Sequence, residues 1–243
     1  MMMGRNNSLL SVAVIPLFLA GIVAGVGCSN SDDDSGSNGG GSNGSPVGLG
    51  AAAGYTVLAG QSVSNSGATM VNGNLGIWPG NTLTGAPTVT GTTHLGDTSS
   101  QAAQGALTVA YNDAAGRAAG STIAGDLGGR TLAPGVYKST STLELTSGNV
   151  TLDGHGNSGS VFIFQIASSF TANVGRQVIL ANGAQASNVF WQVGSSATLN
   201  TNSAVAGDII ALTTITMGTG ASLNGRALAR NGSVTLLGNT LSP

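Results

Sequence analysis

The sequence predicts a mainly β chain, a β-solenoid with one long helix, and three observations lead there. The first is a repeat. Val161 to Ile166, Asn188 to Val193, Asp208 to Leu212 and Arg226 to Ala229 are apolar runs. Each is followed by a Ser/Thr/Asn segment that alternates with apolar residues, and then by a Gly/Asn/Ala corner. A period near ~18 to 19 residues is too short for a domain and suits one coil of a solenoid. The second is composition: 40 of 243 residues are Gly, yet the hydrophobic fraction is 41% and the apolar residues are periodic. Turn-rich β structure fits that combination better than disorder. The third is that only one stretch carries a helical period.

Taken in order, residues 1–28 read as an export signal. Arg5 supplies the positive region, Leu9 to Val26 the apolar one, and Gly25-Val26-Gly27-Cys28 resembles a lipoprotein cleavage box with Cys28 as the lipidated residue. The competing reading is an ordinary secretory signal with an incidental cysteine. Gly25 departs from the usual Leu or Val of that box. Either reading places the protein outside the cytoplasm, secreted or as an outer-membrane or cell-surface lipoprotein. Cys28 is the single cysteine, so no disulfide or Cys-based metal site is expected in the folded part. Residues 29–46 are a Ser/Gly/Asn/Asp tract that cannot bury a core and reads as a flexible linker. Asp32, Asp33 and Asp34 lack the Gly-turn loop and further ligands of a calcium site, so a solvated charge run is expected there.

The folded domain is expected over 47–243. Tyr55 to Leu58 and Gln61 to Asn65 look like the first strands, Ala68 to Ile77 adds more, and Trp78-Pro79-Gly80 forms a turn. Asp97 is suited to cap a helix over about 98–115, in which Ala102, Ala106, Ala110 and Ala114 form a small-residue stripe beside Leu107 and Tyr111. Such a stripe lets a helix lie close to a flat sheet. Thr131 to Tyr137 reads as a turn and strand, and Leu143, Leu145, Val150 and Leu152 alternate with polar residues.

Within the coils, Val161 to Ile166 and Val189 to Trp191 are apolar at nearly every position, which predicts strands buried on both sides. The interior takes one side and the helix the other. In the segments that follow, strand alternation turns Phe170, Ala172, Val174, Leu199, Ile215, Met217, Val234 and Leu236 inward. Ser169, Thr171, Asn173, Thr198, Asn200, Thr214, Thr216, Ser233 and Thr235 then face out as a ladder, with rungs about 4.8 Å apart. A third, corner-rich face is expected around Asn182, Thr201 and Thr219.

Several strings now carry a resemblance: VNGNLGIWPG, AYNDAAGR, LGGRTLAPGVY, VTLDGHGN, VFIFQI, NVFWQVGSSATL and NGRALARNGSVTL, in this order. Over residues 50 to 243 the chain resembles the bacterial and fungal ice-binding proteins of the DUF3494 family. The resemblance implies a right-handed β-helix of roughly triangular section with one α-helix packed alongside, secretion, and adsorption to ice in the service of cold adaptation. It also implies that the flat face following the helix-covered one, here the ladder just named, meets the ice crystal. Some members carry Thr-(Ala/Gly)-x-(Thr/Asn) repeats, of which Thr219-Gly220-Ala221-Ser222 is a near match.

Ice is a repeating array of water oxygens, so its ligand needs flatness and repetition rather than a pocket. Thr suits this because its β-branch limits χ1 and little rotamer entropy is lost on binding. The competing reading of outward Thr is simple β-propensity.

Other functions are weighed against this one. With 7% charged residues, net charge −2 and no basic cluster, nucleic acid is not an expected partner. An enzymatic β-helix would need clustered carboxylates, whereas Asp97, Asp113, Asp126, Glu144, Asp153 and Asp208 are scattered. Asp153 with His155, and His94 with Asp97, are better read as a turn and a cap. A cell-surface adhesin or polysaccharide binder is the remaining alternative, but aromatics are only 4%, Trp191 falls in a buried strand, and Trp78 alone could be an exposed contact. The expectation is therefore a monomer without enzymatic activity, metal or cofactor, whose partner is ice and whose membrane tether, if any, is Cys28.

Overall fold

The structure, a computed structural model, describes residues 44–243. The expected export signal, Cys28 and nearly all of the expected linker lie outside the described residues. Three parallel β-faces wind around one apolar core, with one long helix against the first face. Two single-turn 3-10 segments, Gly50–Gly54 and Ala186–Asn188, add to it.

The order of strands in the first sheet runs Thr93–Leu95, Asn74–Ile77, Tyr55–Ala59, Ala227–Ala229, Asp208–Ala211, Val189–Val193, Phe162–Ile166, Gly135–Ser139 and Ser121–Thr122. The folded part therefore enters in the middle of the solenoid. Its first coils build outward to Leu95, the helix carries the chain back, and the later coils return until Ala227 and Leu228 pair with Val57 and Leu58. A 19-residue helix reaches about 28 Å, whereas nine strands at about 4.8 Å spacing span about 38 Å. The short connections on either side of the helix make up the rest.

The coil period differs from the expected one in its first step. Asn173 and Asn200 are vertical neighbours 27 residues apart, whereas Ser196 and Thr214 are 18 apart. The longer coils carry corner loops around 154–161 and 182–188, between the third face and the first. These loops are rich in Gly, Asn and Ser, so they add length without adding core.

The central strands of the first sheet, Tyr55–Ala59, Ala227–Ala229, Asp208–Ala211, Val189–Val193 and Phe162–Ile166, are buried on both sides. Val189, Trp191 and Val193 join the solenoid core, while Phe190, with Ile163, Ile210, Leu228 and Leu58, packs under the helix. Burial of each such side chain is worth about 1.5–3 kcal/mol. The helix spans Thr98–Gly116 and buries Ala103, Leu107, Ala110 and Ala114. This corrects the expected stripe at one end: Ala102 is exposed and Ala103 takes its place. The spacing from 103 to 107, 110 and 114 follows the 3.6-residue turn more closely than three steps of four.

The helix is fixed at both ends. Asp97 accepts from the Ser100 backbone N–H at 2.8 Å while Ser100 Oγ answers in a capping box. That backbone bond, with help from His94, holds the Asp97 carboxyl down to about 2. At the other end Gln165 Nε2 donates to the carbonyls of Ala114 and Arg117, at 2.9 and 2.7 Å. The one polar residue in an otherwise apolar run thus satisfies orphan carbonyls of the last turn. Arg117 pairs with Asp113 and donates to the carbonyls of Ser45 and Pro46. Beside that clamp, Val47 and Leu49 are buried with the helix.

Candidate functional site

The second sheet carries the predicted ladder. Its order is Thr82–Thr84, Ser62–Ser66, Val234–Leu237, Ile215–Met217, Ala197–Leu199, Phe170–Ala172, Leu143–Leu145 and Gly125–Asp126. Alternation sorts the side chains as the sequence implied, with Phe170, Ala172, Leu199, Ile215, Met217, Val234 and Leu236 buried. Val174 is a correction: it is 64% exposed, because the strand ends at Ala172 and residue 174 lies in the corner turn.

The outward residues form columns. Thr171 pairs with Thr198, Thr198 with Thr216, and Thr216 with Thr235. The column then continues into the N-terminal coils, where Thr235 pairs with Ser64 and Ser64 with Thr84. Six hydroxyl residues therefore stand in register. On one flank Ser169, Thr214 and Ser233 fall in a second column together with Ser196, Ser62 and Thr82. On the other flank stand Asn173 and Asn200, beyond which Gly218 and Leu237 interrupt the amide column.

These columns differ in hydrogen bonding. The flanks bond along themselves: Thr214 Oγ1 donates to Ser196 Oγ at 2.8 Å, Ser62 and Ser233 Oγ are 2.9 Å apart, and Asn200 Nδ2 donates to Asn173 Oδ1 at 3.2 Å. Ser64 Oγ donates to Thr235 Oγ1 in the centre. The hydroxyls of Thr171, Thr198 and Thr216 make no hydrogen bond to any described residue. The flanks are thus braced, and the centre presents free hydroxyls on stiff β-branched side chains.

Packing beneath the ladder is rigid. Trp191 stacks on Phe170 at 4.5 Å and on Phe164 at 4.1 Å, and its Nε1 donates to the Ala206 carbonyl at 2.9 Å. One ring set therefore couples the helix-covered strand to the strand carrying Thr171. At the next corner Asn239, 1% exposed, donates from Nδ2 to the carbonyls of Gly218 and Ala221 at 2.8 and 2.9 Å. Its Oδ1 accepts from the Leu237 backbone N–H.

The third face is more than corners. Met70–Val71, Thr88–Val89, Ala204–Ala206, Ser222–Asn224 and Thr240–Ser242 form one sheet, and Thr131–Leu132, Val150–Asp153 and Val178–Ala181 another. A single bridge between Gln177 and Ala204 joins them. A cleft of about 550 Å³ lined by Val178, Leu180, Val205 and Leu223 opens there, so this face is not continuously flat. Thr201 and Thr219 sit on the exposed corner between it and the ladder. Asn182 adopts φ 47° in a corner loop and donates to Asp153 at 2.9 Å.

Asp126, Asp153 and Asp208 serve local structure. Asp153 accepts from the His155 backbone N–H, as its turn position suggested, and these bonds lower its pKa. Asp208 is buried, accepts from the Arg226 guanidinium, and is pushed up to about 6 because burial outweighs that pairing. Asp126 accepts from the backbone N–H groups of Gly128, Thr146 and Ser147 and is held well below the usual carboxylate range, the Ser147 side chain contributing most.

The profile of the family described as Ice-binding-like matches residues 57–242. The chain belongs to the ice-binding protein family. An ice-binding protein of Nostoc sp. (strain HG1) is 43% identical over 198 residues, covering 80% of this chain and 73% of that one. A crystal structure of an ice binding protein from an Antarctic biological consortium is 49% identical, with a TM-score of 0.80 over 82% of this chain and 91% of that one. The ice-binding protein of the Antarctic ascomycete Antarctomyces psychrotrophicus is 40% identical, with a TM-score of 0.79 over 82% and 98% of the two chains. Against these ice-binding relatives the solenoid reading stands, and the adhesin alternative is not favoured. The sequence reading missed Ser62, Ser64, Thr82 and Thr84 as ladder positions. The signal was there in Thr82-Leu83-Thr84, but nothing local says that the first coils stack on the last.

Proposed function

We propose that this chain adsorbs to ice through the second sheet, with Thr171, Thr198, Thr216 and Thr235 at the centre and Ser169, Asn173, Asn200, Thr214 and Ser233 on the flanks. Adsorption would inhibit ice growth and recrystallisation or hold the cell to ice. The observation that carries the reading is the in-register central column, three of whose hydroxyls have no partner among the described residues. Each water contact is weak, but many rungs engage together, which is the arithmetic of multivalent binding. A rigid array loses little entropy on docking. The third face competes less well because its cleft breaks the plane.

The role is non-enzymatic in this reading, since Asp97, Asp126 and Asp153 are committed to a cap and to turns and Glu144 accepts only from the Thr146 hydroxyl among the described residues. Ice-affinity partition of the full chain tests it: the protein should enter growing ice, and exclusion with unchanged crystal shape would sink the proposal. We also propose export, action as a monomer, and acylation of Cys28. Labelling with radioactive palmitate, lost in Cys28→Ser, checks the anchor.

A further inference from the structure

The central column does not end where its threonines end. Thr171 pairs on its other side with Glu144, and Glu144 with Asp126. The row around Glu144 otherwise has the make-up of a ladder rung. It reads Thr142-Leu143-Glu144-Leu145-Thr146, with Leu143 and Leu145 fully buried and Thr142 continuing the column of Ser169. Thr146 continues the amide column, accepting from Asn173 Nδ2 at 3.3 Å. One side chain separates this row from the six that precede it.

The two acids differ in what they hold. Asp126 takes three backbone N–H groups and closes the end of the solenoid. Glu144 accepts one hydrogen bond, from Thr146 Oγ1 at 3.2 Å, and bonds no backbone group. It is half-buried and has no cationic partner among the described residues. Structure therefore requires Asp126 but not Glu144. A carboxylate binds its own water strongly, and stripping that shell without a compensating partner is costly. Ice laid over the threonine column would have to do so at Glu144.

We propose that Glu144 sets the boundary of the ice-contacting face, confining it to the rungs from Thr171 to Thr84 and excluding a row that is otherwise built to match. The inference rests on the ladder reading. It makes Glu144 a specificity-determining position: removing the carboxylate lengthens the face by one rung without rebuilding the fold.

The test uses the full chain with Glu144→Thr, Glu144→Gln and, in parallel, Thr216→Tyr, each checked for an unchanged melting transition. Thermal hysteresis is read at equal concentration. Glu144→Thr should raise it by about 1.2-fold or more, the ratio of seven stacked rungs to six. Glu144→Gln should give a smaller gain, because the charge goes but the long flexible side chain stays. If Thr216→Tyr abolishes activity while Glu144→Thr leaves it unchanged or lowers it, the ladder reading survives and the boundary role falls. If Thr216→Tyr is fully active, the ladder reading falls and takes this inference with it. Should Glu144→Thr prove unstable, Glu144→Gln decides alone: equal or lower hysteresis in that folded variant overturns the boundary role.

Discussion

Asn239→Ala is expected to be among the most damaging single changes to a polar residue of this fold. The native amide donates to two carbonyls and accepts from one backbone N–H inside the corner between the ladder and the third face. Truncation leaves all three groups at a site where Asn239 itself is 1% exposed. A buried polar group left unpaired costs about 1–3 kcal/mol, so the sum is at least about 3 kcal/mol. For a domain of this size that lowers the melting temperature by about 6–12 °C. Asn239→Asp is the sharper variant, since it keeps the shape and turns an oxygen toward the carbonyls of Gly218 and Ala221. Its introduced carboxyl should have a raised pKa in the fold, so the variant is relatively most stable at acid pH and loses ground as pH rises. Differential scanning calorimetry reads both. A melting shift below about 2 °C for Asn239→Ala would refute the accounting.

Other consequences follow from the same structure. Gln165→Ala removes both bonds to the helix C-terminus, at a cost of about 2 kcal/mol or more, and hydrogen exchange should show faster opening in the last helical turn while the ladder strands stay protected. Asp208 has a folded pKa near 6 against an ordinary value of 3.8. Its protonated form is therefore favoured by folding, so its contribution is fully present below about pH 4 and is lost as pH rises through 6. The stability of wild type relative to Asp208→Asn should fall over that window, and a rise instead contradicts the assignment. Asp97 has the opposite sign: held down to about 2 by the cap, it stabilises the helix above about pH 4 and loses that effect toward pH 2. Melting curves of Asp97→Asn should accordingly differ less from wild type at pH 2 than at pH 7.

The parts of the fold written in local pattern were legible in the sequence. Val189-Phe190-Trp191 announced a strand buried on both sides, Asp97 a helix start, and the alternation around Thr198 and Thr216 an outward rung. The pairing of the first-coil strands was not legible, because it is not a local decision. Nothing in Tyr55 to Asn65 reveals that these strands lie against Ala227 to Leu237, because both pairings satisfy the same alternation. The six-residue column was therefore read as four, without Ser64 and Thr84. Val174 departs from the alternation because its three-residue strand ends at Ala172 and the chain turns. Ala103 rather than Ala102 faces the sheet because an i, i+4 series drifts around the helix. The place of Glu144 under Thr171 is hidden in the sequence, since it depends on the 27-residue coil rather than the 18-residue one.

The central claim is that one face of this solenoid meets ice, and a paired substitution tests it most directly. Thr216→Tyr places a ring in the middle of the ladder, while Thr240→Tyr places the same ring on the third face, where Thr240 pairs with Ser222 and Met70. Ice-affinity partition of the two folded variants should show loss for Thr216→Tyr and retention for Thr240→Tyr. Retention by Thr216→Tyr with loss by Thr240→Tyr would contradict the account and move the ice contact to the third face.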